Sequence, residues 1–452
     1  SLICERAEIT HILDLSDTHQ FDAAVLPCII VLRKTKRPNG DATFPYILAK
    51  RSSGTSDNKF AGNLFQYIAA KGISSYDDLV EVLDMYGSRE QIRLRKFVVS
   101  QPTSKYNFWH FMSASERQII QKIETNSNCV LAELSERIMV GIKTTADPVF
   151  CDSITEDYVS TNRLERELIH PMLRGKNVAR WRIQWSGKRP RSDTYIIYPH
   201  EKRNGRVVPV ELNKYPRIQS YFESEPNKII LSRRRYVKQA KRRWYEIWVH
   251  QDPDWFSVPY KLITPDFASR NSFALDTKGF FPGGTVFVII LKDQDDEFNK
   301  YMLGMLNSKV LEFYHKVNTS TFIYAGRYRY WTSHLKDYPL VSYKPILASV
   351  PAEKATRVMK LVKDEPHIVR KLKVNCQTVV IDGYLIQCNS PNEARALYRY
   401  VLARGVIETV QQILAEPTSS RVPELESILN WCVYGLYELS NDDVAVIERA
   451  IR

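Results

Sequence analysis

A chain of 452 residues with 44% hydrophobic content and a formal charge of +13 has the bulk for about two to four soluble domains with real cores. Its longest apolar run, residues 286–291, and the run 23–32 broken by Pro27 fall far short of the ~20 residues that cross a bilayer. Seven scattered cysteines with no C-x-x-C pair and no nearby histidine pairs exclude a structural zinc motif and predict reduced thiols in a cytoplasmic protein.

Taken in chain order, residues 1–35 predict two strands, 9–15 and 25–32, joined by the polar stretch Ser16-Asp17-Thr18-His19-Gln20. The opening Ser1-Leu2-Ile3-Cys4-Glu5-Arg6 is not a signal peptide. Two strands alone are marginal in water. With a start that is not Met, they read as the end of a sheet in a longer protein. Residues 36–135 form a mixed connecting region: a loop over 51–59, a helix over 76–86 closed by Gly87, and a second helix behind the capping box Ser113-Ala114-Ser115-Glu116. Ile119, Ile120 and Ile123 share one face of that second helix. Residues 136–342 are rich in strands and turns, with strands over 194–198, 228–231 and 285–291. One helix over 298–317 carries Met302, Met305, Leu306, Val310, Phe313 and Val317 at helical spacing. Residues 343–452 change character. A hairpin over 379–388 turns at Asp382-Gly383, and a helix opens on Ser390-Pro391-Asn392-Glu393 and stops at Gly405. A helical pair closes the chain, its second member capped by Ser440-Asn441-Asp442-Asp443. The fold class is mixed α/β.

The charge is not spread evenly. From Arg174 to Arg243 there are twenty Lys or Arg against five Asp or Glu, a surplus larger than that of the whole chain. Trp181, Trp185, Tyr195, Tyr198, Tyr215, Tyr221 and Tyr236 lie among them, with Trp244 and Trp248 at the edge. Cations that displace phosphate counterions, interleaved with rings that stack on bases, suit a nucleic-acid surface. Catalytic signatures are missing from the sequence: there is no P-loop, nucleophile elbow, H-E-x-x-H or G-x-G-x-x-G. The acidic residues 293–297 read as a helix entrance and Gly283-Gly284 as a turn rather than a phosphate cradle.

Read with its flanks, the basic segment resembles a known family. The elements are Val140-Gly141-Ile142-Lys143-Thr144-Thr145, Leu173-Arg174-Gly175-Lys176-Asn177-Val178 and Tyr195-Ile196-Ile197-Tyr198-Pro199. Further along come Arg242-Arg243-Trp244-Tyr245-Glu246, Leu306-Asn307-Ser308-Lys309 and Gly326-Arg327-Tyr328-Arg329-Tyr330-Trp331. Their order and spacing are similar to the target-recognition domain of TaqI-like adenine-N6 DNA methyltransferases, including fused methyltransferase–restriction enzymes, over roughly residues 1–342. The resemblance implies strands of a Rossmann-like catalytic domain at 1–35, a connecting mixed α/β region at 36–135 and a DNA-reading domain at 136–342; residues 343–452 are expected to form a mixed, largely helical C-terminal domain. It implies that Phe21 stacks on an adenine swung out of the duplex, a contact that compensates part of the lost stacking. A plain core residue at a strand start is the other reading of Phe21. It also implies S-adenosyl-L-methionine as methyl donor, double-stranded DNA as partner and a fused or separate restriction nuclease. The donor-binding glycine-rich loop and the Asn/Asp-Pro-Pro-aromatic motif of the family do not occur in this sequence. The segment is therefore expected to be inactive alone.

The expected contacts sort by chemistry. Arg174, Lys176, Asn177 and Arg180 follow a turn where backbone and cations would hold phosphate. Arg233, Arg234, Arg235, Lys241, Arg242 and Arg243 are expected on a hairpin, where arginine forks read guanine or hold phosphates. Arg327 and Arg329 alternate with Tyr328 and Tyr330, so on a strand they share one face; phosphate contact and edge protection both fit. The helix bearing Asn307 and Lys309 is expected to be scaffold, with those two near its edge. Two rivals remain at this stage: a free-standing specificity subunit without catalysis, and an RNA-binding protein whose rings stack on unpaired bases.

Overall fold

The computed structural model describes residues 6–15, 28–36, 39, 42–51, 78, 81–82, 85, 92–100, 111–189, 193–319, 322–323, 327–363 and 365–451. They form a mixed α/β chain that divides into two compact units. One comprises residues 1–125, 312–329 and 439–452; the other comprises 126–311 and 330–438. No helix among the described residues is long and apolar enough to cross a membrane.

The first unit holds a four-stranded sheet in the order Cys28–Lys34, Ala7–Asp14, Thr43–Arg51, Ile92–Ser100. The first two strands pair antiparallel, and Ala7–Asp14 runs parallel to Thr43–Arg51. The expected pair thus finds sheet partners inside this chain, in a region expected only to connect. Ile9, Ile12, Phe44, Tyr46 and Val99 form its core, and the Tyr46 hydroxyl donates to Asp14 at 2.5 Å. The capping box forms at the start of Ala114–Asn126: Ser113 N donates to Glu116 Oε2 at 2.8 Å, and Glu116 N donates to Ser113 Oγ at 3.2 Å. Of the helix expected over 76–86, the described residues Asp78, Glu81, Val82 and Met85 are helical. Phe21, Gly87 and, apart from Arg51, the loop over 51–59 lie outside the described residues.

The second unit is built on an antiparallel sheet in the order Ala274–Asp276, Lys261–Pro265, Val286–Leu291, Ser135–Val140. Val286–Leu291 is buried along its whole length, so it reads as a continuous apolar run rather than an alternating one. A smaller sheet places Ile169–Leu173 between Thr194–Ile197 and Phe281–Pro282. Gly141 sits where the two sheets approach: a Cβ there would lie 2.3 Å from the Gly283 carbonyl oxygen. Only glycine fits.

Three elements differ from the sequence expectation. The 298–317 helix is two helices, Asp296–Leu306 and Lys309–Asn318. The break is at Asn307, which is fully buried and trades two 2.9 Å hydrogen bonds with the backbone of Phe273 in the manner of a strand partner. It is not at an edge. Gly405 does not stop its helix, which runs Pro391–Ala415. A Cβ at Gly405 would meet Cys432 Sγ at 2.7 Å, so the glycine lets the Val422–Leu436 helix come close. Finally, residues 228–231 are not a strand but part of a helix, Asn227–Ser232. The hairpin over Thr378–Ile381 and Tyr384–Gln387 forms as expected, with positive φ at Asp382 and Gly383.

Candidate nucleic-acid interface

The arginine-dense run folds as three short helices, Pro216–Glu223, Asn227–Ser232 and Arg235–Gln239, and not as the expected hairpin. An apolar stretch of three residues fits either element, and packing decides: Leu231 is buried, Ile230 half-buried and Ile229 exposed. The open amides at the start of the first helix are held from a distance, since the Glu165 carboxylate accepts from Arg217 N at 2.8 Å and Ile218 N at 2.9 Å. After Arg235–Gln239 the chain turns through Lys241 in the left-handed region, φ 54°. Arg242 N closes that turn onto the Val237 carbonyl at 3.0 Å.

This arrangement divides the basic residues into two kinds. Arg234 points inward and is 5% exposed. Its guanidinium donates to the carbonyls of Glu246 at 2.8 Å, Thr144 at 3.2 Å and Trp244, and lies 5.4 Å above the Phe150 ring. Burial pulls its pKa down to about 10, with Glu246 opposing, so it remains charged near neutrality. Arg242 is half-buried, donating to the Trp248 carbonyl at 2.6 Å and stacking over the Trp248 ring at 4.9 Å. By contrast Lys228, Arg233, Arg235, Lys238, Lys241 and Arg243 are exposed. No acidic residue lies between Glu225 and Glu246 in the sequence. Tyr236 and Trp244 are exposed among them, at 51% and 39%. Lys228 and Lys238 did not stand out in sequence because they lie outside the arginine triplets.

The turn after Leu173 is mostly internal as well. The Asn177 side chain, 1% exposed, accepts from Arg174 N at 2.7 Å and donates to Gln184 O and Asp193 Oδ1. Arg174 donates to Asp152 at 2.6 Å and Cys151 Sγ at 3.1 Å. Arg180, its side chain 7% exposed, pairs with Glu426 and donates to the Asn271 carbonyl at 2.8 Å and the Asn307 carbonyl at 2.6 Å. Trp181 Nε1 donates to the same Glu426. Of this group only Lys176 is exposed. Asn177, Arg180 and Arg234 are thus interior supports rather than surface contacts. Arg327 and Arg329 belong to the first unit, on the short strand Arg327–Arg329. Both are half-buried, with Tyr328 buried between them, so they share one face.

Gly283-Gly284 is no phosphate cradle. A Cβ on Gly283 would meet Met172 Cε at 2.5 Å, and one on Gly284 would meet Lys143 Cγ at 2.7 Å. The acidic entrance serves its helix: Asp295 accepts from Phe298 N at 2.8 Å.

The family described as the TaqI-like C-terminal specificity domain matches residues 170–340, which enclose the three helices and the whole exposed cationic surface. Residues 170–340 are a TaqI-like specificity domain. The chain is also similar to the type II methyltransferase M.BanIII of Aneurinibacillus aneurinilyticus, 29% identical over 378 residues. That match covers 83% of this chain but 62% of the relative. Among solved structures, it is similar to the type IIL restriction-modification enzyme MmeI in complex with DNA, with TM-score 0.44, 11% identity, 98% of this chain and 46% of that one. It is also similar to the type IIG restriction endonuclease BpuSI, with TM-score 0.32, 11% identity, 97% of this chain and 45% of that one.

Beside the cationic face, the specificity domain buries His200 and half-buries His170 and His250. The rings of His200 and His250 stack at 4.7 Å, and His170 stacks on Phe281 at 4.0 Å. Burial pushes His170 down to about 4 and His200 to about 3, the latter helped by His250 and Arg242; His250 is lowered for the same first reason. Unfolded histidine titrates near 6.5, so above about pH 6.5 these groups cost nothing, and below it the unfolded chain gains protons that the folded one refuses. His200 alone should remove about 2 kcal/mol of stability at about pH 5. The melting temperature should therefore fall steadily from about pH 7 to 5, and His200→Phe should flatten part of that slope. A melting temperature constant over the range would show that these rings are not held neutral.

Proposed function

We propose that this chain is the sequence-reading portion of an adenine-N6 DNA methyltransferase that uses S-adenosyl-L-methionine and works in a restriction–modification system. The observation that carries the reading is the exposed cationic surface of residues 228–243 lying inside the matched specificity domain. Lys176, Lys228, Arg233, Arg235, Lys238, Lys241 and Arg243 are the contact residues of that reading. Arg174, Asn177, Arg180, Arg234 and Arg242 position the loops that carry them. Arg327 and Arg329 remain assigned to the DNA backbone, and Phe21 to the extruded adenine.

No step of methyl transfer falls to these residues. The donor loop and the adenine-pocket motif are absent from the sequence, and the one double-glycine turn is filled by Met172 and Lys143. The donor supplies the methyl group; what this portion supplies is the choice of site. A restriction nuclease, attached or separate, is the partner that a methylated site protects against.

The test is enrichment of binding sites from a random duplex library, followed by competition with single-stranded RNA. One enriched duplex site containing adenine supports the reading, whereas equal retention of RNA favours the rival RNA-binding protein. A second measurement divides the labour. With labelled methyl donor and the enriched site, this chain alone is expected to transfer nothing, and label incorporated by it would overturn the assignment of catalysis elsewhere.

A further inference from the structure

Tyr236 is the most exposed of the large aromatic rings described within residues 170–340. It is 51% exposed, yet its position is fixed from below. Its ring lies 5.5 Å from that of Trp248, and Trp248 is in turn covered by the Arg242 guanidinium at 4.9 Å. Arg242 is itself held by the carbonyls of Ile247 at 3.3 Å and Trp248 at 2.6 Å. An apolar ring supported this firmly and left in water is a surface prepared for another flat group. Its surroundings say which kind. Along the helix the positions three and four residues on are Gln239 and Ala240, both exposed, one an amide and one too small to obstruct. Arg235, Lys238 and Lys241 flank it as exposed cations, and no carboxylate lies within the segment.

We propose that Tyr236 is a stacking site for a single unpaired nucleobase, a subsite within the DNA-reading surface and separate from any pocket for the methylated adenine. The inference rests on the DNA-binding reading above. The phenol ring has no charge for a phosphate, and its polarisable face matches a base. Inside an intact duplex both faces of a base are covered by its neighbours. The ring can therefore be used only where a base has left the stack or lost its partner. Gln239 is placed to meet an edge of that base with its amide, and the flanking cations hold the phosphates on either side.

The experiment uses the full 452-residue chain and two duplexes, identical except that one carries a single unpaired 2-aminopurine. The protein should bind the unpaired duplex more tightly and quench its fluorescence. Tyr236→Ala should weaken that binding by about five- to hundred-fold and abolish the quenching, with little change for the paired duplex and none in melting temperature. Tyr236→Phe, which keeps the ring, should restore the quenching. Equal affinities of Tyr236→Ala and the unaltered protein for the unpaired duplex, or equal losses on both duplexes, would overturn the inference. A double variant Arg235→Gln, Lys238→Gln separates the two claims. If it weakens both duplexes while Tyr236→Ala weakens neither, only the stacking site fails. If it too binds like the unaltered protein, the DNA-binding reading fails with it.

Discussion

Arg234→Ala is expected to destabilise the specificity domain by about 3–5 kcal/mol, while Arg235→Ala next to it should cost less than ~0.5 kcal/mol. The two neighbours differ only in direction. Arg234 bridges the carbonyls of Thr144, Trp244 and Glu246, which come from two distant parts of the chain, and covers Phe150. Removing it takes that donor from the Glu246 and Trp244 carbonyls, while the Thr144 carbonyl keeps a bond from the Thr145 hydroxyl at 2.6 Å. A charge-assisted bond to each is stronger than an ordinary one, and an orphaned acceptor retains its full desolvation cost. Arg234→Lys should recover only part of the loss, because an ammonium lacks the planar fork that spans several acceptors. Urea melts of the three variants check this. An Arg234→Ala protein as stable as the parent but weaker on DNA would make Arg234 a contact residue and refute its role as an internal brace.

The second large effect is on affinity. If the six exposed cations between Lys228 and Arg243 each neutralise a phosphate, binding should weaken about a thousand-fold between ~50 and ~200 mM salt. Glutamine at Arg235, Lys238 and Lys241 together should lower the slope of log K against log salt by about 0.9 for each residue changed. These side chains are exposed, so folding should be unaffected. Titrations at four or five salt concentrations decide the matter. A flat line would remove the electrostatic basis of the interface, and an unchanged slope in the triple variant would move the phosphates elsewhere.

Much of the local structure was legible in the residues. Ser113 and Glu116 cap a helix because each supplies what the other's backbone lacks, and Asp382-Gly383 turns a hairpin because both tolerate positive φ. The location of the cationic surface was also legible, since it needed only a count of charge. What failed was anything decided across distance. The stretch Lys228-Ile229-Ile230-Leu231 is too short for its period to separate strand from helix, and the choice lay with the surface Leu231 packs on. Gly405 looked like a helix stop because its actual partner, Cys432, is on another helix. The arginines were the hardest. Composition shows how many cations a segment has, but not that Arg234 meets the carbonyl of Thr144, or Arg180 the carboxylate of Glu426.

That last pairing bears on how such specificity segments can be exchanged. The matched domain ends at residue 340, but Arg180 and Trp181 within it share Glu426 of the Val422–Leu436 helix, and Lys309 N donates to Asn430 of the same helix at 2.8 Å. A transplant cut at the family boundary would remove the carboxylate that Arg180 and Trp181 share, leaving the guanidinium its bonds to the Asn271 and Asn307 carbonyls. Chimaeras of this segment should carry the Val422–Leu436 helix along as part of the cassette.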